Sequence, residues 1–126
     1  MFLRLEPNGS EPLYQQLARQ LRQRIAGGQW KPGEQLPSAR ELSAELGLNF
    51  LTVTKVYGML EQEGLVEMRR GLGTFVAVRP AARQEAERKQ LLDGLIDDLL
   101  TGAAQLGLSR SETLRRVREK INEENP

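Results

Sequence analysis

The stretch that decides the fold is Pro37-Ser38-Ala39-Arg40-Glu41-Leu42-Ser43-Ala44-Glu45-Leu46-Gly47-Leu48-Asn49-Phe50-Leu51-Thr52-Val53, with its continuation to Gly64. Ser38 and Glu41 have the spacing of a capping box, in which hydroxyl and carboxylate satisfy orphan helix N–H groups. Leu42 and Leu46 lie one turn apart and face inward, and Gly47 supplies the stop. Asn49 then caps a second helix that runs to Glu63, with Gly64 as its end. Two helices joined by a tight glycine turn, the second longer than the first, make a helix-turn-helix pattern.

Working outward, the next segment sharpens that pattern. Leu65-Val66-Glu67-Met68 and Thr74-Phe75-Val76-Ala77-Val78 are short β-like runs, and Arg69-Arg70-Gly71-Leu72-Gly73 between them predicts a hairpin. A helix-turn-helix followed at once by a basic hairpin describes a winged helix. Upstream, Leu13, Leu17, Leu21 and Ile25 repeat every four residues, which predicts an amphipathic helix over Glu11 to Ala26. Ser10 is its expected N-cap, Pro12 lies in its first turn, and Gly27-Gly28 ends it before a Pro32-Gly33 turn. The alternation in Phe2-Leu3-Arg4-Leu5 predicts a small additional strand.

At about 100° per residue, Val53, Val56, Tyr57 and Leu60 share the core face of the helix after Asn49. Leu51, Thr52, Lys55 and Met59 fall on another side, and that strip suits a surface meant to be covered. A recognition helix in a DNA major groove would be such a surface. There Thr52 hydrogen-bonds a base or phosphate, Leu51 and Phe50 meet thymine methyl groups, and Lys55 neutralises phosphate or reaches a guanine edge. The plainer readings are that Phe50 is core and that Lys55 is merely solvated. Arg40 is either a surface arginine paired with a glutamate or an arginine aimed at a guanine edge or phosphate. Arg69 and Arg70 have the same two readings. Beside Gly71 and Gly73 they favour phosphate or minor-groove contact, because glycine allows close backbone approach.

Composition removes most other functions. The chain has 126 residues, no cysteine and no histidine. That excludes a disulfide framework, makes a structural zinc site very unfavourable, and excludes histidine triads and bases. No cofactor, metal or catalytic residue is expected, and no phosphate-cradling or nucleophile motif points to an enzyme. No apolar run approaches the roughly 18–20 residues that span a bilayer, and the N-terminus is too short and polar for a signal peptide, so a cytoplasmic protein with no membrane partner is expected. Formal net charge is +1, from 18 Lys+Arg against 17 Asp+Glu. Residues 1–79 carry 10 basic and 8 acidic groups, and residues 80–126 carry 8 and 9. Binding to nucleic acid depends on where charges point rather than on this total, and Arg40, Lys55, Arg69 and Arg70 are expected on one surface.

The motifs resemble those of the GntR family of bacterial transcription regulators. Pro37-Ser38-Ala39-Arg40-Glu41-Leu42 is similar to its P-S-x-R-E-L signature. Leu46-Gly47 followed by Thr52-Val53 is similar to its turn and recognition-helix start. Leu60-Glu61-x-Glu63-Gly64-Leu65-Val66 and Arg70-Gly71-x-Gly73-Thr74-Phe75-Val76 are similar to its helix end and wing. Pro12-Leu13-Tyr14-x-Gln16-Leu17, Lys55-x-Tyr57 and the short tail resemble the YtrA subfamily. The resemblance implies a DNA-binding repressor, often of transporter operons, that dimerises through a small helical tail. It implies that Arg40 reads a base, that Thr52 and Lys55 are recognition-helix contacts, and that Gly73 lies at the wing tip. Ser38, Asn49, Phe50, Leu51, Arg69, Arg70, Gly71 and Thr74 complete the expected DNA-binding set. One departure matters: where the subfamily commonly has Pro and Asn before the Thr, this chain has Phe50 and Leu51, so the operator sequence does not carry over.

The expected fold is mainly α with a small β wing: a winged helix-turn-helix domain over 1–79 and a C-terminal two-helix dimerisation hairpin over 80–126. Pro80 opens a helix to about Leu106, where Gly107 stops it. Ser109-Arg110-Ser111-Glu112 is a second capping box for a last helix. Leu91, Leu92, Leu95, Ile96, Leu99, Leu100, Leu106, Leu114, Val117 and Ile121 form an apolar surface too wide for a two-helix hairpin to hide. Its expected cover is a second copy of the chain, the alternative being the winged domain itself. Gly94 and Gly102 permit close helix crossing or are neutral, and Asp93, Asp97 and Asp98 are a solvated face or a weak divalent-metal site. The expected partners are a double-stranded DNA operator and a second protomer. A small-molecule effector stays open, against control through abundance. A winged helix that binds protein instead of DNA is the competing function.

Overall fold

The computed structural model describes residues 3–124, and Phe2 of the predicted N-terminal strand lies outside them. Five helices and one hairpin follow in the order α1 (Leu13–Ala26), α2 (Ala39–Leu46), α3 (Phe50–Gln62), β1 (Val66–Arg69), β2 (Gly73–Val76), α4 (Ala81–Gln105) and α5 (Arg110–Glu124). The chain divides into two compact units, residues 1–88 and 89–126. The division falls inside α4, later than the 79/80 boundary expected from the sequence. Its physical reason is Arg79, which is only 7% exposed. Arg79 pairs with Glu87 at 3.1 Å and donates to the Leu65 carbonyl at 3.4 Å, while Arg83 also meets Glu87 at 3.4 Å. The first turns of α4 therefore belong to the winged unit.

That unit is built on the predicted apolar faces. Leu17, Leu21 and Ile25 of α1, Leu42 of α2, and Val53, Val56, Tyr57 and Leu60 of α3 form one core with Leu65, Val66 and Val76 of the hairpin. Tyr57 fills the centre, and its hydroxyl donates to the Pro37 carbonyl at 2.6 Å, tying α3 to the head of α2. Burial pushes the Tyr57 phenol far above its ordinary range, with the Glu41 carboxylate adding to the effect. Met59, placed by sequence on the outward strip, is half-buried and packs against this core.

The helix ends follow their local chemistry with two exceptions. At α2 the expected capping box is half made: the Glu41 amide donates to the Ser38 hydroxyl at 3.0 Å, while among the described residues no bond returns from the Ser38 amide to the Glu41 carboxylate. Gly47 takes a left-handed conformation at φ 68°. The Leu51 amide donates to Asn49 Oδ1 at 2.7 Å. Ser10 is not the cap of α1. Pro12 holds that position with extended backbone and no side-chain cap bond, and its carbonyl accepts from the Gln15 and Gln16 amides. Leu3, Arg4 and Leu5 form no strand. They run beside α1, where Gln20 bonds both the amide and carbonyl of Arg4, and buried Gln16 bonds both those of Glu6 as well as the Glu11 carbonyl. Leu3 and Leu5 pack on the core from there.

The hairpin is antiparallel, with Val66 opposite Val76 and Arg69 opposite Gly73. Its third partner comes from the α1–α2 connection: Gln35 bridges Phe75, the Leu36 amide donates to the Thr74 carbonyl, and the Val76 amide donates to the Glu34 carbonyl. In the second unit, Gly107 at φ 81° separates α4 from α5. The Ser109 capping box is made in both directions, from the Glu112 amide to the Ser109 hydroxyl at 3.1 Å and from the Ser109 amide to Glu112 Oε1 at 3.3 Å.

Candidate nucleic-acid interface

The candidate site begins at the α2–α3 corner. Arg40 is exposed in the first turn of α2, and its guanidinium lies over the Phe50 ring at 4.7 Å. Its partner is therefore an aromatic face rather than a glutamate. Phe50 is 38% exposed, neither core nor free. Next to it Leu51 is 71% exposed. Thr52 is half-buried, and Lys55, exposed, lies with its ammonium 3.9 Å from the Tyr14 ring centre. Ser38 and Asn49 are exposed, with their side-chain oxygens engaged as helix caps.

The hairpin supplies a third cation. Arg69 stacks on Phe75 at 4.4 Å and pairs with Glu67 at 3.5 Å. Arg70 and Gly71 are exposed in the turn, which the Leu72 amide closes by donating to the Arg69 carbonyl at 2.9 Å. Two expected contacts differ. Gly73 is the first residue of β2 rather than the tip, and Thr74 is buried. Thr74 turns inward because the alternation along β2 buries Thr74 and Val76. Gly73 has φ 124°, and a Cβ there would stand 2.6 Å from Gln35 Nε2, which donates to the Leu72 carbonyl at 3.0 Å. Glycine thus lets Gln35 hold the wing turn.

Each of the three ring contacts joins a cation on α2, α3 or β1 to a different aromatic residue. Stacking over a π-face attracts a cation and narrows its conformations while its N–H donors keep their charge for an anionic ligand. Tyr14, Phe75 and Gln35 act here as supports that the sequence reading did not single out as such. The hairpin register did contain the Arg69–Phe75 contact, since Phe75 faces Glu67 and Arg69 is its diagonal neighbour. Nothing local signals Tyr14 under Lys55.

The second unit keeps its apolar stripe open. Leu92, Leu95, Ile96, Leu99, Leu106, Leu114 and Ile121 are exposed, while Leu91, Leu100 and Val117 are half-buried. Leu99, Gly102, Ala103, Leu106 and Val117 line an apolar hollow of about 480 Å³ between α4 and α5. Asp93, Asp97 and Asp98 are exposed, and among the described residues no group of three His, Cys, Asp or Glu is placed to hold a metal ion. Among the same residues no helix is long and apolar enough to cross a membrane.

Comparison with known proteins shows the family of the chain. Residues 13–76 match the family described as bacterial regulatory proteins, gntR family. The HTH-type transcriptional repressor YtrA of Bacillus subtilis (strain 168) is 31% identical over 121 residues, covering 96% of this chain and 90% of that protein. The structure of YtrA from Sulfolobus acidocaldarius, a GntR-family transcription factor, superposes with a TM-score of 0.56 at 29% identity, covering 98% of this chain and all of that one. The crystal structure of AraR(DBD) in complex with operator ORR3 matches at 34% identity and a TM-score of 0.51, covering 60% of this chain and 95% of that chain.

Proposed function

From the premise that this chain belongs to the GntR family of bacterial regulatory proteins, as a YtrA-type member, we propose that it is a sequence-specific repressor that binds an inverted-repeat operator as a homodimer. The observation that carries the proposal is the set of exposed, ring-stacked cations Arg40, Lys55 and Arg69 on α2, α3 and the wing. α3 enters the major groove, with Arg40 directed at a base edge and Lys55 at phosphate or a guanine edge. Arg69, Arg70 and Gly71 meet the flanking backbone or minor groove. The exposed leucines of α4 and α5 bury against those of a second copy, and the twofold axis sets the operator's symmetry. Transporter genes are the target class that the resemblance implies. AraR(DBD), which superposes on this chain and was solved in complex with operator ORR3, supports the DNA-binding reading.

A mobility-shift titration over a duplex pool tests this. Affinity should fall with salt at a log–log slope of about −0.9 for each neutralised phosphate. Arg40→Ala should weaken the selected duplex by about 1–3 kcal/mol and relax its sequence preference at one position, whereas Lys55→Ala should lower the salt slope. Retention of full affinity by both variants would instead favour a winged helix that binds protein.

A further inference from the structure

Leu51 is the one apolar side chain of the α2–α3 corner that the fold leaves unused. Val53, Val56, Tyr57 and Leu60 of the same helix are buried, and the Phe50 ring is covered on one face by Arg40. Leu51 has no such partner and is 71% exposed. Its backbone is fixed all the same, because its amide is held by Asn49 Oδ1. Exposed cations bracket it, with Arg40 stacked on the preceding residue and Lys55 one turn further along α3.

An exposed apolar side chain on the same corner as two ring-stacked cations fits a ligand that is anionic and also offers an apolar group. A DNA major groove does so in one way: phosphates line its rims, and the apolar group among its base edges is the C5-methyl of thymine. We propose that Leu51 reads a thymine methyl in each half-site, next to the base addressed by Arg40. This rests on the DNA-binding reading above and adds a sequence element to it. It gives the Phe50-Leu51 pair separate tasks: Phe50 positions Arg40, and Leu51 touches the base.

The test uses the full chain. A random duplex pool yields the preferred operator, and each thymine in it is then replaced singly by deoxyuridine, which removes the methyl and keeps the pairing. One replacement per half-site should weaken binding about fourfold, the equivalent of one buried methyl-sized group. Leu51→Ala should bind the parent duplex about fourfold less tightly per half-site. It should not distinguish thymine from uracil at that position, so the two losses are not additive. Alanine is a strong helix former at an exposed site, and an unchanged circular dichroism spectrum verifies that the variant folds. A wild type indifferent to every uracil, or a Leu51→Ala variant that loses as much as wild type on uracil, overturns the proposal and leaves DNA binding standing. A pool from which nothing is enriched overturns both.

Discussion

Tyr57 shows how a single side chain works as both core and fastener. Its ring occupies the centre of the winged unit, and its hydroxyl closes the distance to the Pro37 carbonyl just before the α2 cap. Tyr57→Phe keeps the ring and strands that carbonyl, so urea denaturation should show a loss of about 1–2 kcal/mol. Equal midpoints would mean the carbonyl finds another donor. The residue scale is also where sequence reading reached least far. Thr74 and Arg79 look like surface residues by type, yet both are buried. Thr74 is turned in by the pleat of a hairpin whose register depends on a distant segment around Gln35. Arg79 is enclosed because Glu87, two turns into the next helix, comes back to meet it. It is therefore no part of the exposed basic surface, although it is one of the 10 basic groups of residues 1–79. Helical periodicity placed Leu51 and Lys55 outward correctly but put half-buried Thr52 and Met59 on the same strip, and the rings beneath Arg40 and Lys55 were not legible.

Helices and their ends were legible almost throughout, since caps and stops are local. Ser38, Asn49, Ser109, Gly47 and Gly107 act as their neighbours in sequence require. Two misreadings sit at the N-terminus, where two glutamines of α1 capture the preceding chain and displace both the Ser10 cap and the strand. At α5 the reciprocal box has a pH consequence. The Ser109 hydroxyl, and then its backbone amide, hold the Glu112 carboxyl below its ordinary value of 4.5. A carboxyl lowered by folding stabilises the folded state above its unfolded value, and that contribution disappears as pH falls through its folded value. Thermal melts from about pH 6 to about pH 3 should therefore show wild type losing stability more steeply than Glu112→Gln, which keeps the acceptor without the titration. Parallel curves for the two proteins would remove Glu112 from acid sensitivity.

For the whole molecule the decisive feature is the exposed leucine stripe of α4 and α5, on which the proposed dimer depends. Leu95→Lys places a charge in that stripe at an exposed position, so the helix itself should persist. Sedimentation should then report a monomer at concentrations where wild type is a dimer, and operator affinity should drop by about 100-fold or more as two-point attachment is lost. An unchanged mass would place the interface elsewhere. The two-helix tail was readable from its capping box and stripe, whereas the point at which the chain divides was not, because a buried ion pair shifted it into α4.

The glutamine tethers of the N-terminal segment have a consequence in time as well as in space. The amides of Arg4 and Glu6 belong to no helix or sheet, yet each is held by a side chain of α1. Deuterium uptake at Glu6 should consequently be slow, set by the opening of α1 rather than by the pace of a free chain end. It should lag well behind uptake at Asn8, which lies in the exposed turn that follows. In Gln16→Ala the two positions should exchange together, and the first helix would lose its slowest-opening outlying witness.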